Sequence, residues 1–554
     1  MLFLLAAMML QVGLAQEQGA APAKQCVLEG TAVDATTGEA LPKVTVKLVR
    51  ESSQQSSGYV RTTDASGRFR FEGVAAGDYE LVGDRPGYLE GQFGATKPVG
   101  AGITLHLKAG DELSELPLKL TRFSVVSGKV LDEDGEPVSG ARINAISTFW
   151  ARGQREYGTT EQGTTNDRGE YRISGLSPGR YYFRVSTGDA RFTREPGGPV
   201  ESLLPVFYPD SLTIDHAAGV QLEPAQNLDG IDFKLKTGPV FQIRGAIKTA
   251  RGVELDQLEV SAENSIQKTG VLDFDSDVDQ KGNFDIVPIP AGHYELEVID
   301  PRHNVLTAVP IEIRTRDVTG MVISLPGPIE LKGVVRWPEN GSAPAAIFAL
   351  PPQRTFDGAY RAPVEPNGAF TIKDVPAGEY VIGVDGRLAG EYVKSILYNQ
   401  QEVLGEVIDL SGGSAGALEI VISGGAGQIE GTISGTQDKP AIQEKAGDSS
   451  SKVAAPLQAV LVSERQRLYG QRARFETADE SAHFSFTDLP PGKYHAFAVA
   501  GGVDWGVWEN EDFLKQIQSE GVEIEVSENQ KKQVPLTPIS ADTLERAIQK
   551  AEQQ

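Results

Sequence analysis

The stretch Asp64–Leu81, DASGRFRFEGVAAGDYEL, recurs four more times along the chain. Self-similarity at a fixed spacing is the mark of tandem modules, and it restricts the fold more than any other feature here. The other copies begin at Asn166, Asp279, Glu365 and Asp479. In each, a Gly (Gly77, Gly179, Gly292, Gly378, Gly492) follows ten residues after Gly67, Gly169, Gly282, Gly368 or Ala482, and a Tyr (Tyr79, Tyr181, Tyr294, Tyr380, Tyr494) follows two later. Asp64 and Gly67 suit a tight turn, because Gly reaches positive φ without steric cost and Asp hydrogen-bonds its own backbone. Phe69 and Phe71 then alternate with Arg68, Arg70 and Glu72, which is the period of a half-buried strand. Val74 ends that strand, Gly77 supplies a second turn, and Tyr79 and Leu81 begin a returning strand. The expectation is a β-hairpin with one apolar face, made five times.

A chain of 554 residues is long enough for several domains. Successive copies lie about 100 residues apart, the usual size of a sandwich domain. Each unit opens on a strand carrying a glycine: Gly30, Gly128, Gly245, Gly333 and Gly431. Glycine inside a strand points to a bulge or to close backbone approach. Each unit closes on an apolar strand, at Leu116–Leu120, Ile231–Leu235, Met321–Leu325, Leu418–Ile422 and Val534–Leu536. The expected units are residues 26–120, 121–238, 239–327, 328–427 and 428–540. They follow an apolar leader at 1–15 and a polar, Ala-rich linker at 16–25. Behind Ser540, a good N-cap, residues 541–554 read as a short helix with Leu544 and Ile548 four apart. The fold class is therefore all-β, a tandem array of about five small sandwiches, with short linkers giving an elongated rod. Insertions at 149–165 and 191–228 enlarge the second unit, and the Gly/Ser/Lys/Asp-rich segment 436–455 reads as disordered.

A formal net charge of −24 argues against nucleic-acid binding, which needs clustered Lys and Arg, and against docking on anionic lipid. Residues 1–15, MLFLLAAMMLQVGLA, resemble a secretory h-region with cleavage before Gln16, although no Lys or Arg precedes the run. That run is too short to span a bilayer, so the mature chain is expected to have no transmembrane segment. The location expected is secreted, periplasmic or cell-surface associated. One cysteine, Cys26, leaves no intrachain disulfide, and stability must rest on packing.

The motif D-x-x-G-x-F-x-F-x-x-[VL]-x-x-G-x-Y resembles the carboxypeptidase regulatory-like domain. The resemblance implies a transthyretin-like, Greek-key sandwich of the kind that sits beside metallocarboxypeptidase catalytic domains or in tandem in bacterial secreted proteins. It speaks for the fold and says little of function. The sequence PVFYPDSLTIDHAAGVQLEPAQNLDGIDF, within the second insertion, is similar to secreted bacterial members.

Catalytic constellations are missing from the sequence. The six His residues (106, 216, 293, 303, 483, 495) form no zinc-ligand spacing with Glu. Gly412–Gly416 matches G-x-S-x-G, but strand-like segments lie on both sides where a nucleophile elbow needs a following helix, so it reads as a hairpin loop. Asp273, Asp275, Asp277 and Asp279 alternate, and carboxylates in a row are candidate Ca²⁺ ligands; a solvated strand face is the plainer reading. Trp505 and Trp508, beside Asp504, Glu509 and Tyr494, are candidate stacking faces for a sugar, and Trp150 is another. The plainer reading makes them core or lid anchors. An intramolecular isopeptide bond would need a buried Lys, Asn and acid, which the sequence alone does not place. The functional expectation is a non-catalytic extracytoplasmic binding or scaffold protein without a cofactor, its partner a protein or a cell-envelope or extracellular polysaccharide. The alternative is a carbohydrate-binding protein using exposed aromatics.

Overall fold

A computed structural model of the chain describes residues 24–552, apart from 51–57, 96–97, 99–101, 103, 152, 188–192, 195–199, 250–253, 265–273, 302, 342, 353–358, 387–389, 414, 435–456, 465–471, 480 and 501–504. The leader, most of the linker and segment 436–455 thus lie outside the described residues. Among the described residues, five two-sheet sandwiches follow one another. Contacts divide them into one compact unit of Met1–Arg85, Gly91–Phe93 and Gly102–Leu120, and a second of Pro86–Glu90, Gly94–Ala101 and Thr121–Gln554.

Every sandwich is built around its opening strand. In the first, Cys26–Asp34 pairs antiparallel with Arg68–Val74 on one side and parallel with Glu112–Leu120 on the other. The same arrangement surrounds Ser124–Leu131, Thr237–Thr249, Ile329–Arg336 and Gly427–Thr432. In the facing sheet, Thr45–Arg50 lies between Tyr59–Thr62 and Gly77–Asp84. Ala141–Ala151, Glu259–Asn264, Ala346–Leu350 and Leu457–Ser463 take that place in the other four.

The repeated motif is therefore not a hairpin. Arg68–Val74 joins one sheet and Gly77–Asp84 the other, and the same split occurs in all five copies. The link between them is a corner that carries the chain across the core. Phe69, Phe71 and Val74 point inward from one sheet and Tyr79 and Leu81 from the other, all five buried. Burying each large apolar side chain contributes roughly 1.5–3 kcal/mol. The repeated tyrosine fixes the corner. Its hydroxyl donates to the carbonyl four residues earlier, from Tyr181 to Ser177 at 3.0 Å, Tyr294 to Pro290 at 3.1 Å, Tyr380 to Pro376 at 2.9 Å and Tyr494 to Pro490 at 2.5 Å. Burial pushes these phenols above their usual range, Tyr294 to about 12.

The glycine of the opening strand lies under the first aromatic ring of the motif. A Cβ on Gly30 would collide with both the Phe69 ring and the Leu116 carbonyl oxygen; on Gly333 it would meet Phe370 at 2.5 Å and the Leu418 oxygen at 2.6 Å. Close approach is thus the reason for this glycine. The ladder also shifts register just before it, between Cys26 and Leu28 in the first sandwich and between Ile329 and Leu331 in the fourth.

The first residue of the motif closes its own turn. Asp64 Oδ1 accepts from the Ser66 and Arg68 N–H groups, and Asn166, Asp279 and Asp479 do the same in their copies. The Arg68 N–H holds the Asp64 carboxyl below its ordinary value of 3.8; the Asn283 side chain does so for Asp279 and the His483 N–H for Asp479. A depressed carboxylate adds stability that is complete above the unfolded value and is lost as pH falls through the folded one. Asp279→Asn, which copies the natural Asn166, keeps the acceptor and removes the titration. Its stability is expected to fall less steeply than the parent's below about pH 4. Denaturation of the third sandwich at pH 3 and pH 6 checks this; equal slopes would contradict it.

In the second unit the sandwiches also touch. Val200–Leu203, from the second insertion, adds antiparallel to the third sandwich's opening strand through Ser202 and Gly238. Tyr360 accepts from the Asn304 amide at 2.9 Å and lies 3.2 Å from Asp300 Oδ2, tying fourth to third. Tyr392 donates to Glu528 at 2.9 Å, tying fourth to fifth. The second sandwich also meets the fifth, through Gly153 and Asn510. Contacts confined to sequence neighbours, as a rod requires, are not what this unit shows.

Candidate functional site: the capped sheet of the fifth sandwich

The fifth sandwich carries an extra layer. Where one sheet face meets solvent, as along Cys26–Asp34, fully and partly buried residues alternate. Leu457–Ser463 and Gly492–Ala500 instead bury consecutive residues. Ala459, Leu461, Tyr494, Ala496 and Ala498 face the sandwich core. Val460, Val462, Phe497 and Val499 belong to a second cluster on the opposite face. That face is apolar, so it must be covered. The cover is a 3₁₀ turn, Trp505–Glu509, followed by helix α1, Glu511–Ile517, and helix α2, Ala541–Ala551. Asn510 caps α1, its side chain accepting from the Phe513 N–H at 2.7 Å. Ser540 caps α2, accepting from Thr543 N–H at 3.2 Å. α2 docks by Leu544, Ala547 and Ala551.

Trp508 is the centre of this cover and is 0% exposed. Its ring meets Phe513 at 5.3 Å and 86°, Phe497 at 5.4 Å, and Phe475 at 6.3 Å. No face is open to a sugar, so the stacking role expected of Trp508 is corrected to that of a core anchor. Trp150 is half-buried against the same cluster. Trp505 opens the turn, and its side chain lies outside the described residues. Trp150 and Trp508 thus share one cluster, in which Trp508 is the more deeply buried. The apolar residues on both faces of KYHAFAVA were the sequence signal for a covered sheet.

The acidic row resolves differently. Asp273 lies outside the described residues. Asp275 and Asp277 are exposed on a short edge strand beside Ser261 and Glu259. Burial and the two aspartates raise the Glu259 carboxyl above its ordinary value. Asp279 is held in its turn. Among the described residues, no three His, Cys, Asp or Glu side chains are grouped to hold a metal ion. The G-x-S-x-G segment has Ser414 outside the described residues. Its flanks, Val407–Asp409 and Ala417–Gly424, are strands of different sheets, so the hairpin expected there is instead an inter-sheet crossing.

Beside α1 the cover leaves an open cleft of about 250 Å³. Its floor is Phe497 and Leu514, and its rim is charged. His495 stacks on Phe497 at 6.3 Å and 22°, with Nδ1 3.8 Å from Glu464. Arg472 stands 3.5 Å from Glu511. Buried Glu509 accepts from the Arg472 N–H at 2.6 Å, fixing the strand edge to the cover. An apolar floor with paired charges of both signs suits a short amphipathic segment.

An isopeptide triad needs a buried lysine. Among the described residues, Lys is missing from the buried polar set, which holds Asn144 and Asn304. The purified chain is expected to show no loss of ammonia by intact-mass measurement, and such a loss would refute this assignment.

Residues 27–109 and 125–236 match the carboxypeptidase regulatory-like domain, so the first two sandwiches carry that domain. No curated protein matches the chain. Among solved structures, the Bacillus anthracis TIE protein is similar at 12% identity, over 75% of this chain and 74% of that one, with a TM-score of 0.15. The minor pilin GBS52 of Streptococcus agalactiae is 11% identical over 39% of this chain and 97% of its own, TM-score 0.22. The shaft pilin SpaA of Lactobacillus rhamnosus GG is 13% identical over 39% and 98%, TM-score 0.20. At these scores nothing about the role of this chain follows from them. Among the described residues, no helix is long and apolar enough to cross a membrane.

Proposed function

We propose that this protein is a non-catalytic scaffold that works outside the cytoplasm and presents loops and insertions from tandem sandwiches to a protein partner. The observation that carries this reading is the use made of the repeated residues. The turn Asp, the glycine beneath the ring, the paired aromatics and the corner Tyr all hold the sandwich together. What differs between units is what lies outside that frame: the insertions of the second and the cover of the fifth. The apolar leader supports export, and the matched domain supports a binding or structural role. Weak contacts at several sandwiches would add as avidity.

The test is fractionation of cells making the full chain, followed by crosslinking in place. The scaffold reading expects the chain outside the cytoplasm in a discrete crosslinked complex, and no glycan binding on a broad polysaccharide panel. A cytoplasmic, uncrosslinked chain would overturn it. So would saturable glycan binding abolished by Trp505→Ala.

A further inference from the structure

The strands Ala141–Ala151 and Gln154–Thr164 of the second sandwich form a ladder that runs from Arg142–Thr164 to Ala151–Gln154. Only Ala141–Ser147 also pairs with the next strand, Gly179–Thr187. Thr148–Ala151 and Gln154–Tyr157 therefore extend past the sheet as a two-stranded arm. At its base Tyr157 packs on the second sandwich, edge-on to Tyr182, whereas Trp150 near the tip packs on the fifth sandwich's cluster.

The tip fits the turn Trp505–Asn510 closely. The Gly153 N–H donates to the Gly506 oxygen at 3.2 Å, and the Asn510 amide donates to the Gly153 oxygen at 2.7 Å. Gly153 has φ +74, and a Cβ there would lie 2.5 Å from the Glu509 oxygen; a Cβ on Gly506 would collide with the Trp150 oxygen. Both backbones thus approach at glycine, one on each partner. Asn510 serves both sides: its oxygen caps α1 and its amide holds the arm.

We propose that the arm is a releasable clasp that fastens the second sandwich to the fifth. Four sandwiches already joined in sequence (second to third, third to fourth, fourth to fifth) are then closed by this non-sequential contact. The clasp is releasable because the arm lies beyond the pairing with Gly179–Thr187, so the hydrogen bonds at Gly153 and the half-buried Trp150 indole can leave the turn without breaking that ladder. Opening it leaves the second sandwich's core untouched and exposes the Trp150 arm and the Gly506 turn together, so engagement sets how far apart the two ends of the second unit stand.

The test uses the full chain with spin labels at Glu156→Cys and Glu520→Cys, both exposed positions, in a Cys26→Ala background. Pulsed dipolar spectroscopy is expected to give one narrow, short distance. Trp150→Ala with Asn510→Asp should replace it with a longer, broad distribution while both sandwiches keep their melting transitions. Asp at 510 still caps α1, since it retains the acceptor oxygen and loses only the amide donor. A broad distribution in the parent chain would overturn the clasp, as would a narrow peak that survives the double substitution. Mixing singly labelled chains separates the remaining case: a short distance between chains would mean that the arm reaches a second copy, which also overturns it.

Discussion

Trp508→Ala is expected to strip the cover from the fifth sandwich and lower that domain's stability by about 3–5 kcal/mol, the range for truncating a large buried aromatic. The indole touches three other rings and has 0% exposure, so its removal leaves a void that Phe497 and Phe513 cannot both fill. Because α1 and α2 dock through this cluster, the loss is local before it is global. Hydrogen exchange should show Glu511–Ile517 and Ala541–Ala551 losing protection first, with the other four sandwiches unaffected apart from the second sandwich's arm at 148–157, which rests on the same cover. Denaturation of the full chain will not be two-state, so the effect is read from the fifth domain's own transition. An unchanged transition would contradict the anchoring role.

Gly333→Ala is expected to cost the fourth sandwich stability at the upper end of the roughly 1–3 kcal/mol that overpacking costs, or beyond it. A methyl there would lie 2.5 Å from the Phe370 ring and 2.6 Å from the Leu418 carbonyl oxygen. The ring cannot simply turn aside, because Phe370 is itself 2% exposed in the core. The closing strand must move instead, and its parallel pairing with the opening strand from Lys332 to Arg336 is lost or strained. Glycine is a poor strand former, so alanine at an ordinary strand position would be neutral or stabilising. Calorimetry of the fourth sandwich's transition distinguishes the two: a rise in melting temperature would remove the close-approach account. Gly431→Ala is expected to act in the same direction, because its methyl would collide with the Val534 carbonyl oxygen.

Much of the fold was legible because local chemistry fixes it. The five motif copies, their inward residues, the Asx turns at Asp64 and Asp479, and the α2 cap at Ser540 all follow from side-chain type and spacing over a few residues. The candidate site was less legible. Tryptophan beside carboxylates looks the same in sequence whether its ring faces water or Phe513. The alternating aspartates likewise showed a strand but not whether their carboxylates converge.

The sequence by itself determined the repeated all-β motif, which face of each strand turns inward, and where the chain must turn, since these depend on side-chain period and on glycine and aspartate chemistry. Only the tertiary structure decided that the motif's two strands enter opposite sheets, that the fifth sandwich's outer face is covered by helices, and that the second sandwich's arm ends on the fifth. Period two says which residues share a face and is silent on which backbone pairs with which. Pairing, covering and clasping each join residues far apart in sequence: Arg68–Val74 with Cys26–Asp34, Trp508 with Phe475, and Gly153 with Asn510.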